Sequence, residues 1–214
     1  MIETKDQEEL FKLIANYLKR DIVCIAIGGT AMMFAGYKTA TKDIDLVFKS
    51  EQDRQVFVKA IELLGYKERS LARIYDEKRR QHFHKPKIYT RGDERFDLFV
   101  KNVFGFELEF ALDKITQRQD FLGKKEFNVY ILPTEELILL KAITGRDRDY
   151  EDIETILMIE KNINWEHIIS EAVKQKSSNP WILIDLEETL HKVKKIAFIP
   201  NKYFEMIYQT DEKN

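Results

Sequence analysis

The chain has 214 residues and a formal net charge of −2, from 35 basic and 37 acidic side chains, with 44% hydrophobic and 34% charged residues. This excludes fibrous, low-complexity and disordered classes, and the near-balanced charge argues against bulk coating of nucleic acid. No apolar stretch approaches a membrane span. The single cysteine, Cys24, allows no internal disulfide, which fits a reducing cytoplasm.

In chain order, a polar start runs into an amphipathic helix over 6–20, with Leu10, Phe11, Leu13, Ile14, Tyr17 and Leu18 at helical spacing. Ile22–Ile27 is apolar and rich in β-branched residues, a buried strand. Gly28 and Gly29 then permit a tight turn, Thr30 suits the N-cap of a short helix over 31–35, and Gly36 ends it. Asp43–Phe48 reads as a second strand. Val56, Phe57, Ala60, Ile61 and Leu64 mark a helix stopped by Gly65. Short strand-like pieces follow at 72–75, 82–84, 87–90 and 95–100, and another at 127–132. After Pro133, helices are expected at 135–144, 148–160, 165–175 and 180–195. The expected architecture is α/β (α+β): a mixed sheet flanked by helices over 1–132, then a helical domain over 133–214.

The chemistry concentrates in the first part. Successive strand side chains alternate faces, so Asp43 and Asp45 share one face and Ile44 and Leu46 the other. Two neighbouring carboxylates repel unless a cation sits with them, which favours a divalent ion. Asp97, inside the apolar run Phe96–Val100, is a costly strand residue if buried unpaired, so it is the candidate third carboxylate; it could instead cap a turn or pair with Arg95. A Gly-Gly turn before a helix N-terminus suits phosphate oxygens.

Gly28-Gly29-Thr30-Ala31 followed by Asp43-Ile44-Asp45 resembles the signature of the nucleotidyltransferase superfamily that includes DNA polymerase β. The Thr41-x-Asp43-Ile44-Asp45 detail resembles its small prokaryotic branch of AbiEii-type toxins and minimal nucleotidyltransferases. That resemblance implies two Mg²⁺ ions, with Mn²⁺ as an alternative, held by Asp43, Asp45 and Asp97. It implies that Asp97 helps deprotonate an acceptor hydroxyl and that Gly28, Gly29 and Thr30 meet the triphosphate. A softer likeness over Glu135–Ile153 implies that Lys141 and Asp149 touch phosphate or order the site. The competing reading there is a solvated, charged helix start.

The expected function is metal-dependent transfer of a nucleoside monophosphate from an NTP to an acceptor hydroxyl, releasing pyrophosphate. The likeness implies a tRNA or protein acceptor and a toxin paired with an antitoxin. Ten Lys or Arg against five Asp or Glu over 66–95, densest at Lys78-Arg79-Arg80, suit a nucleic-acid acceptor or the triphosphate. The alternative is a catalytically silent nucleotide- or RNA-binding module of the same fold. His82 and His84 make a thin case for zinc, and Trp165 and Trp181 read as core or interface residues.

Overall fold

The computed structural model describes residues 1–69 and 85–211. The expected strand pieces at 72–75 and 82–84, the Lys78-Arg79-Arg80 run and the His82/His84 pair lie outside the described residues. The chain divides into two compact units, Met1–Phe104 with Leu108–Leu132, and Gly105–Glu107 with Pro133 onward. No described helix is long and apolar enough to cross a membrane.

In the first unit, β1 (Ile2–Glu3) leads into α1 (Thr4–Ala15), followed by β2 (Ile22–Ala26), α2 (Gly28–Phe34), β3 (Ala40–Thr41), β4 (Ile44–Phe48) and α3 (Glu51–Leu63). Then come β5 (Lys67–Arg69), β6 (Lys87–Arg91), β7 (Glu94–Val100), β8 (Asn102–Val103), β10 (Arg118–Leu122) and β11 (Glu126–Ile131), with β9 (Phe106–Glu107) belonging to the second unit. The sheet runs β10-β11-β2-β4-β7-β6-β5. Two of its pairings are parallel, β11 with β2 and β4 with β7, and the rest along this path are antiparallel. This is the mixed α/β class expected from the sequence.

Helix α3 starts earlier than its apolar pattern, because Ser50 caps it: the Ser50 hydroxyl accepts the Asp53 backbone N–H at 3.1 Å. Its apolar stripe and that of α1 cover one sheet face through a chain of rings. Phe11 meets Phe121 and Phe127 at 5.2 and 5.3 Å, and Phe57 meets Phe48, Phe96 and Phe127 at 5.3, 5.4 and 5.5 Å. Cys24 lies in this unit's core, where burial pushes its thiol well up and leaves it a space filler.

The second unit is helical: α4 (Thr134–Thr144), α5 (Asp147–Ile159), α6 (Trp165–Gln175), α7 (Ile182–Val193) and α8 (Asn201–Asp211). Helix α4 packs on α5, α6 and α7, so Leu137, Ile138, Leu139, Leu140 and Ala142 are buried around its circumference. Gln175 ties β9 to this unit by accepting the Glu107 N–H and donating to the Glu107 carbonyl, both at 2.9 Å. Trp165 is buried, whereas Trp181 is exposed.

Candidate active site

Helix α2 follows β2 with only Ile27 between them, and this junction shapes the site. Gly28 has φ +55°, in the left-handed region, and a Cβ there would come within 2.6 Å of Asp45 Oδ2. A Cβ on Gly29 would collide with the Thr41 hydroxyl. The absence of both side chains lets the turn close over the start of β4.

Thr30 does not cap this helix. The helix begins at Gly28, and Ile27 in the N-cap position makes no side-chain cap. Thr30, fully buried, instead accepts the Asp45 backbone N–H through its hydroxyl at 2.9 Å, and the Ile27 N–H donates to the Asp45 carbonyl at 3.2 Å. The Asp45 backbone is thus held through both its N–H and its carbonyl. Thr41 donates to the Asp43 carbonyl at 3.1 Å, fixing the residue that precedes β4.

The parallel register of β4 and β7 sets Asp45 directly beside Asp97. Phe48 and Phe96 both meet Phe57 of α3, so the alternation of the strands turns Asp45, Arg95 and Asp97 to the opposite face. Asp43, two residues before Asp45, continues that side. The Asp97 side chain is 6% exposed and that of Asp43 32%. Between them lies Arg95, which the sequence offers only as an alternative partner for Asp97. Arg95 grips Asp97 with both ends of its fork, Nε to Oδ1 and Nη2 to Oδ2, each at 2.6 Å. Its Nε also stands 3.9 Å from Asp43 Oδ1. The signal in the sequence was the Arg-x-Asp spacing, which puts both side chains on one strand face.

Three carboxylates offering only oxygen donors suit a hard divalent cation, and the Gly28 backbone packs so closely on the Asp45 carboxylate that only glycine fits there. The residues therefore fit such an ion. As the side chains stand, no three His, Cys, Asp or Glu among the described residues are arranged to hold one. In this triad each Asp97 oxygen already accepts an N–H from Arg95.

Gly28, Gly29, Thr30, Asp43, Asp45 and Asp97 are thus brought together within the first unit. Lys141 and Asp149 belong to the second, where they form a network of their own. Lys141 Nζ donates to Asp152 Oδ2 at 2.5 Å and lies 3.6 Å from Asp149 Oδ1. Asp149 Oδ2 accepts from the Thr144 hydroxyl at 2.7 Å and from Arg146 Nε at 2.7 Å, while its Oδ1 accepts Arg146 Nη2 at 3.1 Å. Burial raises the Asp149 carboxyl, but the Arg146 hydrogen bond, the charges of Lys141 and Arg146 and the Thr144 hydroxyl outweigh it and hold the group below the usual range. A solvated helix start describes Asp147 and Glu151, which are exposed, and not Asp149 and Asp152, which are buried.

Comparison with known proteins adds the following. A crystal structure from H. pylori provisionally described as a nucleotidyltransferase is 12% identical, over 96% of this chain and 89% of that one, with a TM-score of 0.42. A search of curated proteins finds no match. Residues 5–206 match a family described as nucleotidyltransferase of unknown function (DUF6036), and the chain, a transferase of that class, belongs to this family.

Proposed function

We propose that this enzyme moves a nucleoside monophosphate from an NTP to an acceptor hydroxyl and releases pyrophosphate, with Asp43, Asp45 and Asp97 as its catalytic and metal-binding carboxylates. The observation that carries this reading is the in-register pair Asp45–Asp97, with Asp43 on the same side and a glycine turn over them. Divalent ions held by these carboxylates, two Mg²⁺ or Mn²⁺, would supply charge neutralisation at the phosphates and at the leaving pyrophosphate. The acceptor oxygen forms a bond to the α-phosphorus, and the bond from that phosphorus to the α–β bridging oxygen breaks. Asp97 is the group assigned to take up the acceptor proton. Gly28 and Gly29 leave backbone room for the triphosphate, and Thr30 serves by holding Asp45 in place. Lys141 and Asp149, engaged with each other and with Asp152, serve by ordering the corner between α4 and α5.

We read the chain more finely as an AbiEii-type enzyme, on the strength of Thr41-x-Asp43-Ile44-Asp45. The acceptor would then be tRNA or a protein in the cytoplasm, and the enzyme a toxin with an antitoxin partner. Expression should arrest growth, and Asp43→Asn should relieve the arrest; harmless expression of an active enzyme removes the toxin reading.

The central test is incubation with each α-labelled NTP, Mg²⁺ or Mn²⁺ and cell extract, comparing the native enzyme with Asp43→Asn/Asp45→Asn. Label carried into RNA, protein or a small molecule by the native enzyme alone supports transfer and identifies the acceptor. Intact NTP binding with no label transferred would replace this reading with a silent nucleotide-binding module.

A further inference from the structure

Arg95 covers the carboxylate of Asp97, which a bound cation would need. It lies two residues before Asp97 on the same face of β7, so its side chain folds back along the strand and covers both carboxylate oxygens. The same guanidinium faces Asp43. In the ion-free protein this contact compensates a carboxylate that is nearly inaccessible to water and would be costly to leave bare. An ion ligated by Asp97 has to share these oxygens with the Arg95 N–H groups or displace them.

We propose that Arg95 is a positioning residue that stands in for the metal ion and is transferred to nucleotide phosphate when ion and NTP arrive together, which couples the two binding events. This inference rests on the reading of Asp43, Asp45 and Asp97 as metal ligands. A guanidinium pushed off Asp97 by an incoming cation faces repulsion from that cation and loses two charge-assisted hydrogen bonds. It needs a new anion within the reach of a side chain rooted in β7. The triphosphate is the anion that the reaction itself brings, and the planar fork of Arg matches phosphate oxygens. Metal alone brings no phosphate to receive a displaced Arg95, whereas metal with nucleotide does. Between turnovers Asp97 stays paired with a guanidinium of the chain itself.

The experiment is Mn²⁺ titration followed by electron paramagnetic resonance on the full chain, for the native protein, Arg95→Gln and Arg95→Lys. Each is measured with and without an NTP analogue whose α–β bridge cannot be cleaved, and unfolding midpoints are taken with and without Mn²⁺. The native protein should bind Mn²⁺ about 10-fold or more tighter in the presence of the analogue. Arg95→Gln should bind Mn²⁺ alone about 10-fold tighter than native, lose most of the enhancement by the analogue, and gain more thermal stability from Mn²⁺ than the native protein does. Arg95→Lys, which keeps the charge but loses the fork, should fall between them, and it carries the test if Arg95→Gln does not fold. Equal Mn²⁺ affinity in all three proteins, with the enhancement intact, overturns the displacement while leaving the metal site standing. No Mn²⁺ binding in any of them, with or without analogue, overturns the metal-site reading and this inference with it.

Discussion

Each unit contains an arginine folded onto a buried aspartate, and the two arrangements differ in charge rather than in geometry. Arg95 holds Asp97 through two bonds of 2.6 Å, and Arg146 holds Asp149 through bonds of 2.7 and 3.1 Å. Around Asp149 the described charges balance, with Lys141 and Arg146 facing Asp149 and Asp152. Beside Asp97 stand further carboxylates, with Asp45 in register on β4 and Asp43 Oδ1 3.9 Å from Arg95 Nε. A balanced, buried cluster clamps a helix corner. A row of carboxylates beneath a glycine turn is suited to receive a cation and its phosphates. The charged neighbours of the pair, more than its own hydrogen-bond geometry, separate a clamp from a site.

The largest effects should come from removing one carboxylate or one cation from each cluster. Asp45→Asn should lower the transfer rate by about 10³-fold, roughly 4 kcal/mol of transition-state stabilisation. Its unfolding midpoint should hardly move, because a neutral amide relieves repulsion between neighbouring carboxylates. Lys141→Met should do the reverse. It leaves Asp152 and Asp149 buried beside a missing cation and should cost about 3–5 kcal/mol of stability in denaturant unfolding, with the turnover of the folded fraction retained. If Asp45→Asn destabilised as strongly as Lys141→Met, the two clusters would be the same kind of structure and the contrast would fail.

The next effect is smaller and concerns how the carboxylates are held. Thr30→Val removes the acceptor for the Asp45 N–H while keeping the shape of the side chain, and a buried amide without a partner costs about 1–3 kcal/mol. Transfer should fall along with stability, and Thr30→Ser, which retains the hydroxyl, should restore both. Full activity in the valine variant would show that the backbone of Asp45 needs no such anchor.

The grouping of Asp43, Asp45 and Asp97 was legible because strand alternation and an isolated charge in an apolar run are local signals. The part played by Thr30 was not, since a Thr after Gly-Gly reads as a helix cap. The left-handed Gly28 starts the helix three residues earlier and turns Thr30 toward β4. Lys141 and Asp149 remained open between phosphate contact and solvent because their partners lie across a helix turn, a tertiary fact with no periodic trace. The edge strand β10 escaped notice because Phe121 is its one buried residue, and α8 because its pattern around Phe204 and Ile207 is short.

The smallest effect separates the clusters by acid. The Asp149 carboxyl is held below its ordinary value, so its contribution to stability is complete above the unfolded-state value of about 3.9 and is lost as pH falls through the folded-state value. Unfolding midpoints of the native protein measured from neutral pH downward should therefore drop below about pH 4, and Asp149→Asn should flatten part of that drop while starting from a lower stability at neutral pH. Only part is removed, because Glu51, Asp53, Glu94 and Glu171 are also held low and titrate in the same direction. An Asp149→Asn protein with the native acid limb intact would mean that Arg146 and Lys141 do not favour the charged form of this carboxylate. The balance of charge at the α4–α5 corner would then be incidental rather than the property that distinguishes it from the acidic face of the sheet.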